Sequence, residues 1–169
     1  VRYGNVMGSR GSVIPLFQSL AEKGELPITD PNMTRFMITL EQAVKMVWQA
    51  FDEMVGGEIY VNQIPSMKVT EIAEAVAPSA RHNIIGIRPG EKMHEQMIGE
   101  EDAHYTFAYD GYYKILPAIN DWYKDPNRIK NGRKVPPDFS YRSDTNKEWM
   151  TKETLREWID ANRSRIGKI

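Results

Sequence analysis

The stretch Arg2-Tyr3-Gly4-Asn5-Val6 has the pattern of a short buried strand that runs into a loop. Gly8-Ser9-Arg10-Gly11-Ser12 follows it, and a new apolar stretch begins at Val13. A buried parallel strand that ends at a ligand-contacting loop and leads into a helix has this order of residues. A parallel strand needs neighbours, and nothing before this stretch supplies one. We therefore expect the chain to be the C-terminal part of a longer protein.

The composition is that of an ordinary globular protein. The chain has 169 residues, of which 27% are charged and 41% apolar, and a formal net charge of −1. This balance provides no electrostatic basis for binding nucleic acid or an anionic membrane surface, so neither partner is expected. The sequence contains no run of about 18 apolar residues, so no membrane span is predicted. Because the chain has no cysteine, disulfides and thiolate chemistry are excluded, and a cytoplasmic location is expected.

Apolar periodicity and capping residues predict the main helices. The first runs from its N-cap Ser12 to about Lys23, where Gly24 ends it. The second begins at the capping box of Thr39 and Gln42 and extends for about fifteen residues. A last helix is predicted over about residues 151–163. The inward faces are predicted to be Val13, Leu16, Phe17 and Leu20 in the first helix, Ala43, Val44, Val47, Trp48 and Phe51 in the second, and Leu155, Trp158 and Ile159 in the last.

Short strands are predicted between these helices. Four segments have the apolar and β-branched character of strands: residues 27–29, 36–38, 58–61 and 83–87. Asp110-Gly111 predicts a two-residue hairpin turn. Thr70 is expected to cap a further helix, residues 92–98 are expected to be helical, and residues 117–137 are expected to form a loop. The alternation of strands and helices indicates an α/β fold.

Six segments, in order along the chain, resemble one family of enzymes. They are residues 2–6, 9–15, 27–30, 64–68, 85–92 and 137–139, together with the Met33-Thr34-Arg35-Phe36 island. The family is the extended short-chain dehydrogenase/reductases that act on nucleotide sugars, and the branch it is most similar to is the inverting UDP-N-acetylglucosamine 4,6-dehydratases. The resemblance extends from Val1 to about Trp158. It implies that residues 1–24 are the last strand and helix of a Rossmann-type NAD(P)-binding domain, and that residues 25–169 form the smaller α/β substrate-binding lobe.

Arg88 and Glu91 lie on a turn that Pro89 and Gly90 make rigid, at the end of a predicted strand. An arginine fork at this position suits a diphosphate, whose oxygens accept paired N–H donors. The alternative is a solvated turn in which Arg88 and Glu91 form an ion pair. The resemblance implies that Arg88 contacts the pyrophosphate and that Glu91 hydrogen-bonds the uridine ribose. It also implies a second pyrophosphate arginine at Arg35, for which the alternative is a charge on an edge strand.

Asn5, Arg10, Val13 and Thr29 complete the predicted substrate contacts. Asn5 can donate and accept hydrogen bonds, as a sugar-phosphate contact requires, or it can cap the following turn. The resemblance implies that Asn5 reaches the substrate and that Tyr3 lies near the nicotinamide of the cofactor. It further implies that Arg10 and Val13 help to hold the uridine and sugar at a helix N-terminus, where N–H groups favour anions. Thr29 is expected to line the sugar pocket, or to be only a strand-end threonine.

Two motifs of the family are absent from the sequence. It contains neither Gly-x-Gly-x-x-Gly nor a tyrosine with a lysine four residues later. The resemblance places both motifs, and an aspartate–lysine acid–base pair, in another half that binds NADP. No catalytic residue is therefore expected here, and this chain alone is expected to be inactive. The histidines at 82, 94 and 104 lack metal-ligand spacing, so no metal site is predicted and all three are expected at the surface.

The family reaction removes hydride from C4, eliminates the C6 hydroxyl and returns hydride to C6 with inversion at C5. Expected partners are therefore a UDP-sugar, the missing N-terminal half or another chain, and further copies in a homo-oligomer. Residues 64–68 and 137–139 favour the dehydratase branch. Three alternatives stay open: a capsule-type dehydratase/epimerase, a nucleotide-sugar epimerase, and a stand-alone module that binds a nucleotide sugar without catalysis.

Overall fold

The computed structural model describes residues 1–168. Its helices are α1 (Val13–Leu20), α2 (Leu40–Glu53), α3 (Val69–Val76), α4 (Glu100–Ala103), α5 (Pro126–Ile129) and α6 (Lys152–Asn162). Its strands are β1 (Asn5–Val6), β2 (Glu25–Ile28), β3 (Thr34–Ile38), β4 (Ile59–Asn62), β5 (Ser66–Lys68), β6 (Arg81–Ile84), β7 (Gln96–Ile98), β8 (Thr106–Ala108), β9 (Tyr112–Ile115), β10 (Arg133–Lys134) and β11 (Tyr141–Arg142). Parallel and antiparallel pairs occur together, which confirms the predicted α/β class.

β3 is the central strand of a three-stranded sheet that includes the opening stretch of the chain. β1 pairs with it in parallel, with Asn5 opposite Met37, and β5 pairs antiparallel on the other side. Gly4 permits this approach, because a Cβ at that position would lie 2.5 Å from the Phe36 Cβ. The opening stretch is therefore a parallel strand, as predicted. Among the described residues, β1 forms one edge of this sheet.

α1 follows the loop as predicted, and its predicted inward face is correct except at Leu16, because Phe17 is buried and Val13 and Leu20 pack partly buried against the core. Ser12 occupies the N-cap position, yet its hydroxyl donates to the Ser9 carbonyl oxygen (2.7 Å) and does not cap the helix. The helix buries Ile14 and Phe17, whereas Leu16 is 47% exposed. Ile14 is covered in place of Leu16 because α1 packs against both α3 and β2.

α2 begins at the predicted capping box. Thr39 Oγ1 accepts the Gln42 N–H (3.1 Å), and Gln42 Oε1 accepts the Thr39 N–H (2.9 Å). The predicted inward face is only partly correct, because Ala43 is buried and Met46, not predicted, is buried beside it. Val47 is half-buried, whereas the other three predicted residues are open to solvent within the described chain: Val44 is 45%, Trp48 64% and Phe51 65% exposed.

β2 and β6 form a separate parallel pair, in which Ile28 lies opposite Ile84. β6 ends at Ile84, earlier than predicted, although the Ile85 N–H still donates to the Ile28 carbonyl oxygen (2.9 Å). The chain leaves the carboxyl end of this pair as residues 85–95, which we call the 85–95 segment. This segment then passes along β3, where the Thr34 N–H donates to the Met93 carbonyl oxygen (3.2 Å).

The predicted helix over residues 92–98 is wrong. Residues 96–98 form β7, which pairs antiparallel with β11 and places Ile98 opposite Tyr141. Ser143 also holds the residue before β7. The Glu95 N–H donates to Ser143 Oγ (2.9 Å), and the Ser143 N–H donates to the Glu95 carbonyl oxygen (2.8 Å). Pairing with a distant segment here overrides the local helical pattern.

The remaining strands form a four-stranded antiparallel sheet in the order β10-β8-β9-β4. The predicted hairpin turn at Asp110-Gly111 is confirmed, since it joins β8 to β9 and Gly111 has a φ of 76°. Thr70 lies inside α3, whose N-cap is Lys68, so the capping prediction is wrong. The predicted loop over residues 117–137 is also wrong in part, because it contains α5, β10 and a 3₁₀ turn over Ile119–Lys124.

Two apolar clusters form the core. The first includes Ile14, Phe17, Leu26, Ile28, Ile72, Leu155 and Ile159, and the second includes Phe36, Ile38, Val61, Ile98, Ile115 and Tyr141. The first cluster contains residues from both sides of the predicted boundary between residues 24 and 25, and that division stays a prediction. Within residues 1–168, no helix combines the length and apolar character that crossing a membrane requires.

Candidate functional site

The 85–95 segment places Arg88 and Glu91 on a turn beside Thr29, at the carboxyl end of the β2–β6 pair. Thr29 Oγ1 donates to Glu91 Oε1 (3.2 Å), and the Arg88 N–H donates to Glu91 Oε2 (3.3 Å). The Glu91 N–H donates in turn to the Arg88 carbonyl oxygen (3.0 Å). The structure thus brings together three predicted substrate contacts, Thr29, Arg88 and Glu91, which we call the turn group.

The Arg88 side chain is exposed, and it forms no ion pair with a carboxylate of residues 1–168. The predicted alternative, an ion pair between Arg88 and Glu91, is therefore not formed. Glu91 instead accepts hydrogen bonds from the Arg88 backbone and from Thr29. A guanidinium that projects from a rigid turn without a protein acceptor is suited to bind an anion through two parallel N–H donors.

A second set of predicted residues converges on Glu95. Its Oε2 accepts the Phe36 N–H (3.0 Å). The hydrogen-bonding surroundings of Asn5 orient its amide nitrogen toward Glu95, 3.0 Å from Oε1 and 3.1 Å from Oε2. Arg35 Nε lies 3.9 Å from Glu95 Oε1. We call Asn5, Arg35 and Glu95 the Glu95 group, and in it Asn5 bonds across the sheet and does not cap a turn.

Arg35 is held mainly by backbone carbonyl groups. Its side chain is 16% exposed, and Nη1 donates to the carbonyl oxygens of Thr34 (2.7 Å) and Met93 (3.2 Å). The alternative of an edge-strand charge does not describe this position, because β3 is the central strand of its sheet. Arg35 joins β3 to the 85–95 segment, and its Nη2 has no hydrogen-bond acceptor among the described residues.

The Glu95 carboxylate lies between these groups and a small cavity. Burial raises the pKa of Glu95, and the Phe36 N–H, Arg35 and Lys92 oppose this rise only in part. The cavity has a volume of about 220 Å³ and is lined by Tyr3, Gly4, Lys92, Glu95, Gln96 and Met97. Tyr3, predicted to lie near a nicotinamide, is 48% exposed at this cavity.

Arg10 and Val13 lie at the start of α1. Arg10 is exposed on a turn in which the Ser12 N–H donates to the Ser9 carbonyl oxygen (3.0 Å). Val13 is partly buried against the first apolar cluster. In the part of the chain that the structure describes, neither residue hydrogen-bonds to the turn group or the Glu95 group.

Sequence reasoning missed Glu95, Lys92 and His94. The prediction that His94 lies at the surface is only partly correct: its side chain is 25% exposed, but its Nδ1 lies 2.8 Å from Thr34 Oγ1 and its Nε2 lies 3.9 Å from Asp144 Oδ2. The available signal was the acidic Glu95, two positions before the apolar pair Met97-Ile98, in a stretch that we assigned to a helix. No cluster of three or more His, Asp or Glu side chains within residues 1–168 could hold a metal ion.

The chain is similar to several known proteins and to one protein family. A sequence profile of the polysaccharide biosynthesis protein family matches residues 1–117. A Campylobacter jejuni protein named UDP-N-acetylglucosamine 4,6-dehydratase (inverting) is 51% identical over 166 residues, which cover 94% of this chain and 50% of the relative. A Rickettsia akari protein named UDP-glucose 4-epimerase is 41% identical over 119 residues, covering 68% of this chain and 35% of the relative.

A solved structure, that of Pen from Bacillus thuringiensis, is similar to this chain with a TM-score of 0.79 and 30% identity. The match covers 96% of this chain and 48% of the Pen chain. The chain therefore spans about half the length of the Campylobacter relative and of this structure.

Proposed function

Because this chain belongs to the polysaccharide biosynthesis protein family, we propose that it is the substrate-binding part of an inverting UDP-N-acetylglucosamine 4,6-dehydratase. The observation that carries this proposal is the 51% identity, over 94% of the chain, to a Campylobacter jejuni protein of that name. Such an enzyme acts in nucleotide-sugar and surface-glycan biosynthesis. A cytoplasmic location and assembly into a homo-oligomer are part of the proposal.

The turn group supports a role in holding the diphosphate and ribose of UDP. Arg88 offers paired N–H donors to phosphate oxygens from a turn that Glu91 fixes. The Glu91 carboxylate oxygens keep lone pairs with which to accept a ribose hydroxyl. Thr29 is engaged with Glu91, so its contribution is to orient that carboxylate beside the sugar pocket.

The other predicted contacts extend this binding role. Arg35 keeps Nη2 for a phosphate oxygen while Nη1 is bound to backbone carbonyl groups. Asn5, in β1 shortly before the loop that leads to α1, is held by a hydrogen bond from its amide to the Glu95 carboxylate. Arg10 and Val13, at the start of α1, are proposed to hold the uridine and sugar, where unpaired helix N–H groups attract anions.

Cofactor binding is not built into these residues. The sequence has no glycine fingerprint, and Tyr3 is the one residue predicted to approach a nicotinamide. The residues present do not form a dinucleotide cradle, so we propose that NADP is bound mainly by the half of the relatives that this chain does not span. That cofactor would supply hydride transfer. The residues of this chain bind and orient the UDP-sugar.

We also propose that this other half covers the outer face of α2 and the open edge of β1. An unpaired strand edge favours pairing with another chain, and β1 pairs with β3 alone within residues 1–168, although the preceding Arg2 bridges Val61 of β4. Trp48 and Phe51 present large apolar side chains next to that region, and the cavity that Phe51 lines also includes Val1. The relatives are about twice as long as the region they share with this chain, which is enough to supply such a cover.

We expect this chain alone to form no 4-keto product from UDP-N-acetylglucosamine and NADP, because it lacks the tyrosine–lysine pair and the glycine fingerprint. The matched control is a hybrid protein in which this chain replaces the corresponding half of the Campylobacter jejuni relative. The hybrid protein is expected to form the product, measured by mass spectrometry and NMR. Product from the chain alone, above a control without protein, would contradict this prediction.

A nucleotide-sugar epimerase, including the related capsule-type dehydratase/epimerase, is the second candidate, favoured by the Rickettsia akari relative. Epimerisation keeps the C6 hydroxyl, whereas dehydration removes the elements of water. The mass of the product formed by the hybrid protein therefore separates the two. A folded hybrid protein that binds UDP-N-acetylglucosamine but converts none of it would favour the non-catalytic binding module.

A further inference from the structure

One carboxylate, that of Glu95, holds groups from β1 and β3 together. The carboxylate can only accept, so the Asn5 amide of β1 is assigned the orientation in which its nitrogen faces Glu95, 3.0 and 3.1 Å from the two oxygens. The Phe36 N–H of β3 donates to it at 3.0 Å, and Arg35 Nε, from the same strand, lies 3.9 Å away. The orientation of Asn5 therefore depends on where this carboxylate lies. Arg35 is held mainly by the carbonyl oxygens of Thr34 and Met93, and the Glu95 charge faces its guanidinium from the other side.

Glu95 is itself fixed from the opposite side. Ser143 bonds to both its N–H (2.9 Å) and its carbonyl oxygen (2.8 Å), and Ser143 is fully buried. Ser143 Oγ also lies 2.7 Å from Thr34 Oγ1, in the first residue of β3. The backbone of Glu95 therefore has little freedom, and its carboxylate is held in one place relative to β3.

Stability alone does not explain an ionised side chain here. Burial raises the pKa of Glu95, against the opposing effects of the Phe36 N–H, Arg35 on β3 and Lys92 on the 85–95 segment. Because the pKa of Glu95 is raised by folding, ionisation of this carboxyl lowers the free energy of unfolding. The loss is complete at pH values above the pKa in the folded protein and absent at pH values below the pKa in the unfolded chain. At neutral pH a neutral glutamine would avoid it.

We infer that Glu95 is a positioning residue, whose carboxylate orients the Asn5 amide and supports with its charge the carbonyl-bound Arg35 guanidinium, so that both can reach the phosphates and sugar of a bound UDP-sugar. The inference rests on the proposed function, because it takes Asn5 and Arg35 as substrate contacts. Glu95 acts through these two side chains and does not itself touch the substrate.

The test uses the full chain and measures UDP and uridine binding by isothermal titration calorimetry, with the melting temperature recorded in parallel. Glu95→Gln is expected to bind UDP about tenfold more weakly, because it loses the charge that faces Arg35 and one acceptor for Asn5. Uridine affinity should stay unchanged, and the melting temperature at neutral pH should stay equal or rise. Glu95→Asp keeps the charge but is shorter, so an intermediate UDP affinity is expected.

A double-mutant cycle separates positioning from general support of the fold. In an Asn5→Ala background, Glu95→Gln should weaken UDP binding by less than about threefold, because the Asn5 amide that Glu95 orients is already removed. The control is Glu74→Gln, which removes a carboxylate of α3 that pairs with Lys152 at 2.6 Å and should leave UDP affinity unchanged.

Three results would overturn the inference: UDP affinity of Glu95→Gln within about twofold of the wild type, fully additive losses in the cycle, or a UDP loss matched by a lower melting temperature and an equal uridine loss. Failure of the proposed function is seen separately, in the unmodified chain. A wild-type chain that binds UDP no better than uridine contradicts the assigned substrate before any variant is compared.

Discussion

At the scale of single residues, Arg88 and Arg35 are held in different ways. Arg88 projects from a turn that Glu91 closes, and its head group has no carboxylate partner in residues 1–168. Arg35 bonds two carbonyl groups and joins β3 to the 85–95 segment. Removing Arg88 therefore deletes only the proposed ligand contact, whereas removing Arg35 also breaks contacts within the fold. Both changes should weaken diphosphate binding, but they should differ in their effect on stability.

Arg88→Ala is expected to weaken UDP binding by about ten- to a hundredfold. A charge-assisted hydrogen bond contributes roughly 1.5–3 kcal/mol, and about 1.4 kcal/mol is a tenfold change in affinity. Arg35→Ala should weaken binding by a similar factor and also lower the melting temperature. Arg88→Lys should recover part of the loss, because a point charge cannot reproduce the planar fork. Calorimetry on the chain and on the hybrid protein measures each value.

Uridine separates a ligand contact from a structural role for these arginines. It has no phosphates, so it should bind weakly and nearly alike to the wild type, Arg88→Ala and Arg35→Ala. The matched control is Arg133→Ala, which removes an exposed arginine of β10 and should leave UDP affinity unchanged. Equal losses of uridine and UDP affinity in the Arg88 and Arg35 variants would contradict the diphosphate assignment.

At the scale of elements, a buried ion pair holds the short helix α5 to Glu58, the residue directly before β4. Arg128 Nη1 lies 2.6 Å from Glu58 Oε1, and their side chains are 7% and 2% exposed. Arg128 also donates to the Gly56 carbonyl oxygen (2.7 Å) and lies 4.1 Å from the centre of the Trp122 ring. Burial by itself would raise the pKa of Glu58, but backbone N–H groups and Arg128 outweigh it and lower that pKa.

Glu58→Gln is expected to lower the free energy of unfolding at pH 7 by about 1.5–3 kcal/mol, because buried Arg128 loses its closer carboxylate partner and keeps only Asp125, 3.6 Å from its Nε. A lowered pKa gives stability that is present above the pKa of the unfolded chain. This stability is lost as pH falls through the pKa in the fold. The difference between variant and wild type should therefore shrink in acid, as measured by urea denaturation over a pH series.

The control for this ion pair is Asp121→Asn, which removes an exposed partner of Lys124. Exposed pairs contribute little, so this variant should unfold at nearly the wild-type urea concentration. A Glu58→Gln deficit that stays constant from neutral to acid pH would show that the carboxylate charge is not what holds α5.

At the scale of the whole molecule, α2 exposes large apolar side chains on its outer face. Val44, Trp48 and Phe51 are each at least 45% exposed, and the open edge of β1 belongs to the same sheet that α2 follows. Exposed apolar patches and unpaired strand edges favour association with another chain. By contrast, α1 buries Ile14 and Phe17, so its apolar side is not the open one.

The chain alone is expected to self-associate through this surface, as measured by sedimentation velocity over a concentration series. The double variant Trp48→Glu/Phe51→Lys should reduce the association, because it places charges where the apolar contact would form. The hybrid protein should bury this surface, so the same double variant should not change how its sedimentation depends on concentration. Ile119→Lys, a change at another exposed apolar residue, serves as the control and should leave association unchanged.

A strictly monomeric wild-type chain at high concentration would contradict this prediction. So would equal association of the wild type and the Trp48→Glu/Phe51→Lys variant, because the contact would then lie elsewhere on the molecule.

The sequence by itself determined the features that depend on neighbours along the chain. The capping box of Thr39 and Gln42, the hairpin at Asp110-Gly111 and the start of α6 after Thr151 form as predicted. The turn over residues 88–91 also forms, because Pro and Gly restrict it locally. In each case the hydrogen bonds that decide the structure join residues at most a few positions apart.

The tertiary structure alone decided which side of an element is covered and which distant groups meet. Residues 96–98 became a strand because β11 offered a backbone to pair with, and the apolar face of α2 stayed open because no described segment covers it. Glu95 became the meeting point of Asn5 and Arg35 because β1 lies along β3 and the 85–95 segment crosses beside them. The local sequence determines how much apolar or polar surface an element has. Which segment covers that surface or pairs with that backbone depends on residues far away in the chain.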